Sequence, residues 1–362
     1  MSLLHSDEGL GRQSNVSRRR RRSSVGQAAR DLGLHLVGPE ELSIYRRRCG
    51  KGWRYFDKSH RPVRDKNTIR RLNRLAVPPA YEEVWLAADP AAHLQAVGRD
   101  AAGRRQYRYH RKWEQVREMR KARRLERLAA VLPRIRRSVA QYLGSETISL
   151  AFTCSAVIEL VARSAIRPGN ESYARIRGTR GAATLLKSNA RTDGATIFLG
   201  FRAKGGKTLA KEFVCAPLAQ ALRRLGELPG KRLFQYRGEN GDVHPVTTGQ
   251  VNAFLREIAG TNISLKDFRT LLASASVLAA LCSVRPATSQ RQRRRQVMQA
   301  IRVAADELAN TPAICRKSYV HATIVEAFEE GVLQRFADAI KSGRSQQPNR
   351  QALSAVLNRN AS

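Results

Sequence analysis

The stretch Asn310-Thr311-Pro312-Ala313-Ile314-Cys315-Arg316-Lys317-Ser318-Tyr319-Val320-His321 sets a helix start, two cations and a tyrosine side by side. Thr311 is a capping residue. Pro312 follows at the first helical position, where its missing N–H leaves nothing unpaired. The short helix so begun carries Cys315, Arg316, Lys317, Ser318 and Tyr319. A tyrosine in such a helix is ordinarily structural. Positive charge near a phenol favours its ionised form.

Just before this stretch, Arg291 to Leu308 reads as a helix with Val297, Ile301, Ala304 and Leu308 on one face. Ser264-x-x-Asp267 caps a helix to about Leu281 that carries Lys266 and Arg269, and Thr247-x-x-Gln250 caps another to Ile258. Leu218 to Leu225 is helical. Before it, three strands are expected, at Ala183–Ser188, Thr196–Arg202 and Leu209–Val214. Lys204-Gly205-Gly206-Lys207 forms the turn between the last two. An apolar helix from Ile148 to Ile166 is stopped by Pro168-Gly169, which places Arg167 in its last turn. Upstream, helical spacing begins at Trp113 and breaks at Pro133; a second helix then covers Ile135 to Leu143. This makes residues 113–335 a mostly helical domain with a three-stranded sheet.

Residues 31–112 read differently. Trp53-Arg54-Tyr55-Phe56, Glu83-Val84-Trp85-Leu86 and His93 to Val97 are strand-like. A short helix starts at Asp65, and the turn at Asp100 to Gly103 leads into Arg104-Arg105-Gln106-Tyr107-Arg108-Tyr109. The expected class is therefore α+β: a small β-containing N-terminal domain and a larger helical one. They lie between a basic disordered tail over 1–30 and a polar basic tail over 336–362.

The charge narrows the function. Lys plus Arg number 66 against 30 Asp plus Glu, a net +36 on 362 residues. The first thirty residues, including the run Arg18–Arg22, carry +5, and those from Lys341 onward carry +4, which leaves +27 on the part expected to fold. Charge of this size destabilises a compact chain through self-repulsion, and a polyanionic partner explains it most simply. Nucleic acid is the leading candidate and an anionic membrane surface the runner-up. No apolar run is long enough to span a bilayer. No secretory signal is visible, and five scattered cysteines without a CxxC pair suit a reduced, cytoplasmic setting.

The motifs exclude further classes. Gly200 to Thr208 resembles a phosphate-binding loop, but Gly206 stands where the motif needs lysine, and the segment joins two strands. No clustered carboxylate or histidine motif for a metal appears. No nucleotide, metal or other cofactor is expected.

Four segments taken in order resemble the catalytic segments of type IB DNA topoisomerases, of the small poxvirus-like and bacterial branch. They are Ala165-Ile166-Arg167-Pro168-Gly169-Asn170-Glu171-Ser172-Tyr173, Phe201-Arg202-Ala203-Lys204, Lys266-Asp267-Phe268-Arg269-Thr270, and Asn310 to His321. Gly98 to Tyr109 resembles the DNA-contacting segment of that family's N-terminal domain. The resemblance covers residues 31–335 and implies the DNA breaking–rejoining fold of tyrosine recombinases and type IB enzymes. It also implies a monomer that closes on duplex DNA like a C-shaped clamp, nucleoid-associated in the cytoplasm.

The resemblance implies residue roles as well. Tyr319 would attack the backbone phosphorus and form a 3′-phosphotyrosyl enzyme. Arg167 and Arg269 would hold the non-bridging oxygens. Lys204 would protonate the departing 5′ oxygen, with Lys266 assisting. Arg104, Arg105, Gln106, Tyr107, Tyr109 and Tyr173 would contact DNA. Asn310 departs from the family pattern, which often places histidine nine residues before the tyrosine. The asparagine amide can still donate a hydrogen bond but carries no charge.

Elementary chemistry agrees. A phosphodiester transition state spreads negative charge over its equatorial oxygens, and guanidinium forks fit them. The departing alkoxide is a strong base that needs a general acid. The rival readings are a tyrosine recombinase and a non-catalytic nucleoid protein. Recombinases usually carry His-x-x-Arg where this chain has Lys266-x-x-Arg269. A basic nucleoid protein explains the charge but not the ordered segments.

Overall fold

The computed structural model describes residues 25–333. The Arg18–Arg22 run and the expected tail over 336–362 lie outside the described residues. The chain divides into two compact units, Met1–Arg120 and Lys121–Ser362.

Unit 1 opens with a helix, α1, described over residues 25–31. The basic tail expected to reach residue 30 is therefore already folded by residue 25. Ala28 and Ala29 are buried against Leu34, Trp113 and Val116, a small apolar patch masked in sequence by the surrounding arginines. The unit then forms β1 (Ile44–Cys49), β2 (Gly52–Asp57), α2 (Lys66–Arg74), β3 (Glu82–Leu86), β4 (Leu94–Arg99) and β5 (Arg105–Tyr109). The strands make one antiparallel sheet in the order β2-β1-β3-β4-β5. Asp65 caps α2 by accepting from the Thr68 N–H at 2.7 Å. Leu72 of α2 lies over Ile44, Val84, Leu86 and Ala96 of the sheet. The run Tyr45-Arg46-Arg47-Arg48 hides β1 from a hydropathy reading. Arg46 is nonetheless a structural residue, with its guanidinium 3.9 Å from the Trp53 ring centroid and donating to the Val77 and Pro78 carbonyls.

The long helix α3 (Trp113–Leu143) begins in unit 1 and continues into unit 2. Trp113 and Val116 belong to the unit 1 patch, whereas Leu125, Leu128, Leu132, Ile135 and Val139 belong to the core of unit 2. Its change of allegiance puts the division after Arg120 rather than at Trp113. Pro133 does not end the helix. A proline inside a helix costs about 3 kcal/mol. Each buried leucine-sized side chain returns about 1.5–3 kcal/mol, and the apolar stripe continues on both sides of Pro133.

Unit 2 continues with α4 (Leu150–Ser164), α5 (Glu171–Arg177), β6 (Ala190–Asp193), β7 (Thr196–Arg202), β8 (Thr208–Val214), α6 (Ala216–Glu227), β9 (Gln235–Arg237), β10 (Val243–Pro245), α7 (Thr248–Ala259), α8 (Leu265–Cys282), α9 (Gln290–Glu307), α10 (Pro312–Ser318) and α11 (Ala322–Glu329). The helix α4 is apolar on nearly every side and runs through the core. The three-stranded sheet has the order β6-β7-β8.

Two further expectations fail in this unit. The first strand is not Ala183–Ser188. Ala182, Ala183, Thr184 and Leu185 are all buried in succession, which a half-buried strand cannot achieve, and they form a 3₁₀ turn. The pairing strand is β6, with Ala190 opposite Leu199. Nor is Arg167 in the last turn of α4. The helix ends at Ser164, and Ala165 takes a left-handed conformation at φ 55°. Among the described residues no helix is long and apolar enough to cross a membrane.

Candidate active site

Two helix ends meet in unit 2. Ala165 turns the chain out of α4 in the left-handed region. At the end of α9, Ala309 does the same at φ 49°. The N–H of Ala309 donates to Asp306 O at 3.0 Å and that of Asn310 to Ala305 O at 2.8 Å, a closed C-terminal turn built on alanine instead of glycine. A left-handed alanine costs about 1–2 kcal/mol, so both turns hold strain directly beside the candidate residues.

Arg269, in the second turn of α8, ties the two ends together. One of its terminal nitrogens donates to Ala165 O and the other to Leu308 O, the latter at 3.1 Å. The residue is 1% exposed. Helix C-termini carry partial negative charge, and a guanidinium between two of them is compensated without a carboxylate. Burial and the like charge of Arg167 lower its pKa, against an opposing pull from Tyr319; an arginine keeps its charge through such a shift.

Past the α4 turn, Arg167 is held through its backbone. Its carbonyl accepts from Ala182 N–H, and that of Pro168 accepts from Ala183 N–H, each at 2.8 Å. Gly181 makes this approach possible: a Cβ there would stand 2.5 Å from Arg167 O. An Arg167 side-chain nitrogen donates to Asn310 Oδ1. Since a guanidinium has no acceptor, the amide oxygen must face it, and Asn310 Nδ2 is left buried without a partner. Arg269 Nε is a second buried donor without one.

Tyr319 ends α10, which begins as expected with Thr311 Oγ1 accepting from Ile314 N–H at 3.3 Å. Its carbonyl accepts from Ser274 Oγ at 3.0 Å, so α8 positions the tyrosine as well as Arg269. The ring is 8% exposed. The Arg269 guanidinium lies 5.1 Å and Lys266 Nζ 5.9 Å from its centroid. Burial works to raise the phenol's pKa. The charges of Arg269, then Lys266 and Arg167, outweigh it, and the pKa falls below its ordinary 10. His321, two residues on, is buried with Nδ1 accepting from Thr323 N–H at 3.2 Å; burial and Lys121 hold its pKa down to about 4.

The structure thus brings Arg167, Lys266, Arg269, Asn310 and Tyr319 together. It does not bring Lys204 to them. Lys204 is exposed in the β7–β8 turn, and among the described residues no hydrogen bond or ion pair joins it to the cluster. Tyr173, on α5, is 42% exposed, with Arg177 5.4 Å from its ring centroid. Ser274 and Gly181 escaped the sequence reading because each meets a distant stretch of backbone that only the fold brings near. The two left-handed alanines escaped it because their residue type does not favour that conformation.

In unit 1, Tyr107 and Tyr109 project from one face of β5 at about 40% exposure, 42% and 41%, so they are not core residues. Their rings stack at 6.2 Å, and Tyr109 stacks on Trp113 at 6.1 Å. Asp100 organises the preceding turn. It accepts from Arg104 Nε and Gln106 Nε2, each at 2.8 Å, and these bonds hold its carboxyl well below the usual carboxylate range. Arg104 is thereby committed to an ion pair with Asp100, while Arg105 is exposed beside it.

Comparison with known proteins agrees with this arrangement. Residues 52–100 match the N-terminal domain of bacterial DNA topoisomerase IB. Residues 110–346, well over half the chain, match the catalytic core of eukaryotic DNA topoisomerase I. The chain belongs to the type IB DNA topoisomerases. This topoisomerase is also similar to DNA topoisomerase 1B of Acanthamoeba polyphaga mimivirus, at 28% identity over 293 residues, covering 79% of this chain and 87% of the relative. As a DNA topoisomerase it is an isomerase that acts on DNA. The match to the core contains the whole cluster around Tyr319.

Proposed function

We propose that this topoisomerase relaxes supercoiled duplex DNA by transient single-strand cleavage through Tyr319, without ATP or a metal. The observation that carries the reading is a phenol of lowered pKa enclosed by Arg269, Lys266 and Arg167, beside two buried donors that still lack acceptors. A buried donor left unpaired costs about 1–3 kcal/mol, and a bound phosphate supplies the missing acceptor oxygens.

In this reading the Tyr319 phenolate attacks phosphorus and the bond from phosphorus to the 5′ oxygen breaks. The phosphate becomes a 3′-phosphotyrosyl diester. Arg167 and Arg269 stabilise charge on the non-bridging oxygens, and Asn310 Nδ2 adds a neutral donor. The proton on Lys204 passes to the departing 5′ oxygen, with Lys266 assisting, and the hairpin turn closes on the cluster when DNA is bound. Religation reverses each step. One diester replaces another, so no energy source is needed.

Tyr107 and Tyr109 with Arg104, Arg105 and Gln106 form a DNA-contacting surface on unit 1, and Tyr173 extends contact from unit 2. The enzyme works as a monomer clamping the duplex, with a catalytic unit of the DNA breaking–rejoining fold, on nucleoid DNA in the cytoplasm.

Plasmid relaxation tests the proposal. Purified enzyme should relax positive and negative supercoils in EDTA without nucleotide. Relaxation that requires ATP or a divalent ion would refute it.

A further inference from the structure

The last four carbonyls of a helix have no partner inside it. At the end of α9 each is accounted for separately. Ala305 O and Asp306 O accept from the backbone N–H groups of Asn310 and Ala309. Leu308 O accepts from Arg269 at 3.1 Å. The remaining one, Glu307 O, accepts from Lys211 Nζ at 2.6 Å.

Lys211 is out of place by pattern. It sits on β8 between Leu209 and Phe213, on the strand face whose neighbours across the hairpin are Ile197, Leu199 and Phe201, all buried. A lysine in that row is partly desolvated, and burial lowers its pKa, opposed by Glu307 and reinforced by Arg269. Leucine or valine would suit the sheet better. What lysine adds is reach to the last turn of α9.

That reach joins two parts of the site. The hairpin turn bearing Lys204 is closed by Ala203 N–H donating to Lys207 O at 2.8 Å and Gly206 N–H donating to Ala203 O at 3.0 Å. Strand pairing runs without a break from Arg202 opposite Thr208 to Leu199 opposite Lys211. A shift of Lys211 therefore carries the turn with it. At the other end of the bond, Glu307 precedes the carbonyl that holds Arg269 and lies three residues before Asn310.

We propose that Lys211 is a positioning residue for leaving-group protonation: its bond to Glu307 O sets the β7–β8 hairpin, and with it Lys204, relative to the Arg269–Asn310 cluster. This rests on the reading of Lys204 as the general acid. Cleavage transfers one proton from Lys204 to the 5′ oxygen. A substrate whose bridging 5′ oxygen is replaced by sulfur leaves as a thiolate. Thiols ionise near pH 8.5, so that departure needs no proton donor.

The test is single-turnover cleavage of oxygen- and sulfur-bridged duplexes by Lys211→Ala, Lys211→Arg and Lys204→Ala. Misplacement of a reacting group by about 1 Å can cost roughly 100-fold. Lys211→Ala should lose about 10- to 100-fold on the oxygen substrate and recover to within a few-fold of the parent enzyme on the sulfur substrate. Lys211→Arg, which keeps a donor of similar reach, should stay within a few-fold on both. Equal loss on both substrates, or no loss on either, overturns the positioning role even when sulfur rescues Lys204→Ala. Failure of sulfur to rescue Lys204→Ala overturns the general-acid reading itself, and the positioning role with it.

Discussion

Arg269 carries a full charge where there is almost no water, and it is balanced by helix carbonyls and a phenol. Tyr319 receives the benefit. Its pKa is lowered although burial alone would raise it. The sign of the pH dependence follows. Raising the pH through a lowered pKa populates the phenolate early, so the acidic limb of the cleavage rate should level off below pH 10, the ordinary tyrosine value. Lys266→Ala removes one of the cations and should move that inflection upward. Single-turnover cleavage measured across pH would show it. An inflection at or above 10 in the parent enzyme would contradict the electrostatic account. Asn310 Nδ2 is buried without an acceptor, and its oxygen's engagement with Arg167 could not be seen in sequence, since the two lie far apart along the chain.

The elements around the site are positioned by turns more than by helices. The Gly181–Thr184 turn is packed so closely against Arg167-Pro168-Gly169 that a Cβ on residue 181 would stand 2.5 Å from Arg167 O and 2.6 Å from Gly169 Cα. Gly181→Ala should therefore lower cleavage by about 100-fold or more through displacement of Arg167. Overpacking should cost about 1–3 kcal/mol of stability. Cleavage rate and thermal unfolding measured together check both; an unchanged rate would show that the turn does not position Arg167. Elements with chemical punctuation were legible in sequence: the caps at Ser264 and Thr311, the Pro312 start and the β7–β8 turn. Elements decided by tertiary packing were not. The passage of α3 through Pro133 depends on a core contributed by other helices. The true edge strand, β6, is four residues long, and three of them are polar. The apolar run before it is consumed by a buried turn. Lys211 broke an otherwise apolar alternation, and that irregularity was the available signal for it.

At the scale of the molecule, the charge predicted its partner class before any motif did. The net +36 divides into cations spread along the whole sequence and a few that stand around one phenol: Arg269 buried, Arg167 half-buried and Lys266 exposed. These two kinds of charge should separate by experiment. In the proposed reaction, binding draws on many phosphate contacts, whereas the covalent bond itself forms only on Tyr319. The most direct measurement is recovery of protein covalently attached to 3′-end DNA after denaturation, comparing the parent enzyme with Tyr319→Phe at matched DNA occupancy. With Tyr319 as the nucleophile, the parent enzyme should form an adduct and Tyr319→Phe none, with little change in DNA affinity. An undiminished adduct from Tyr319→Phe would contradict it.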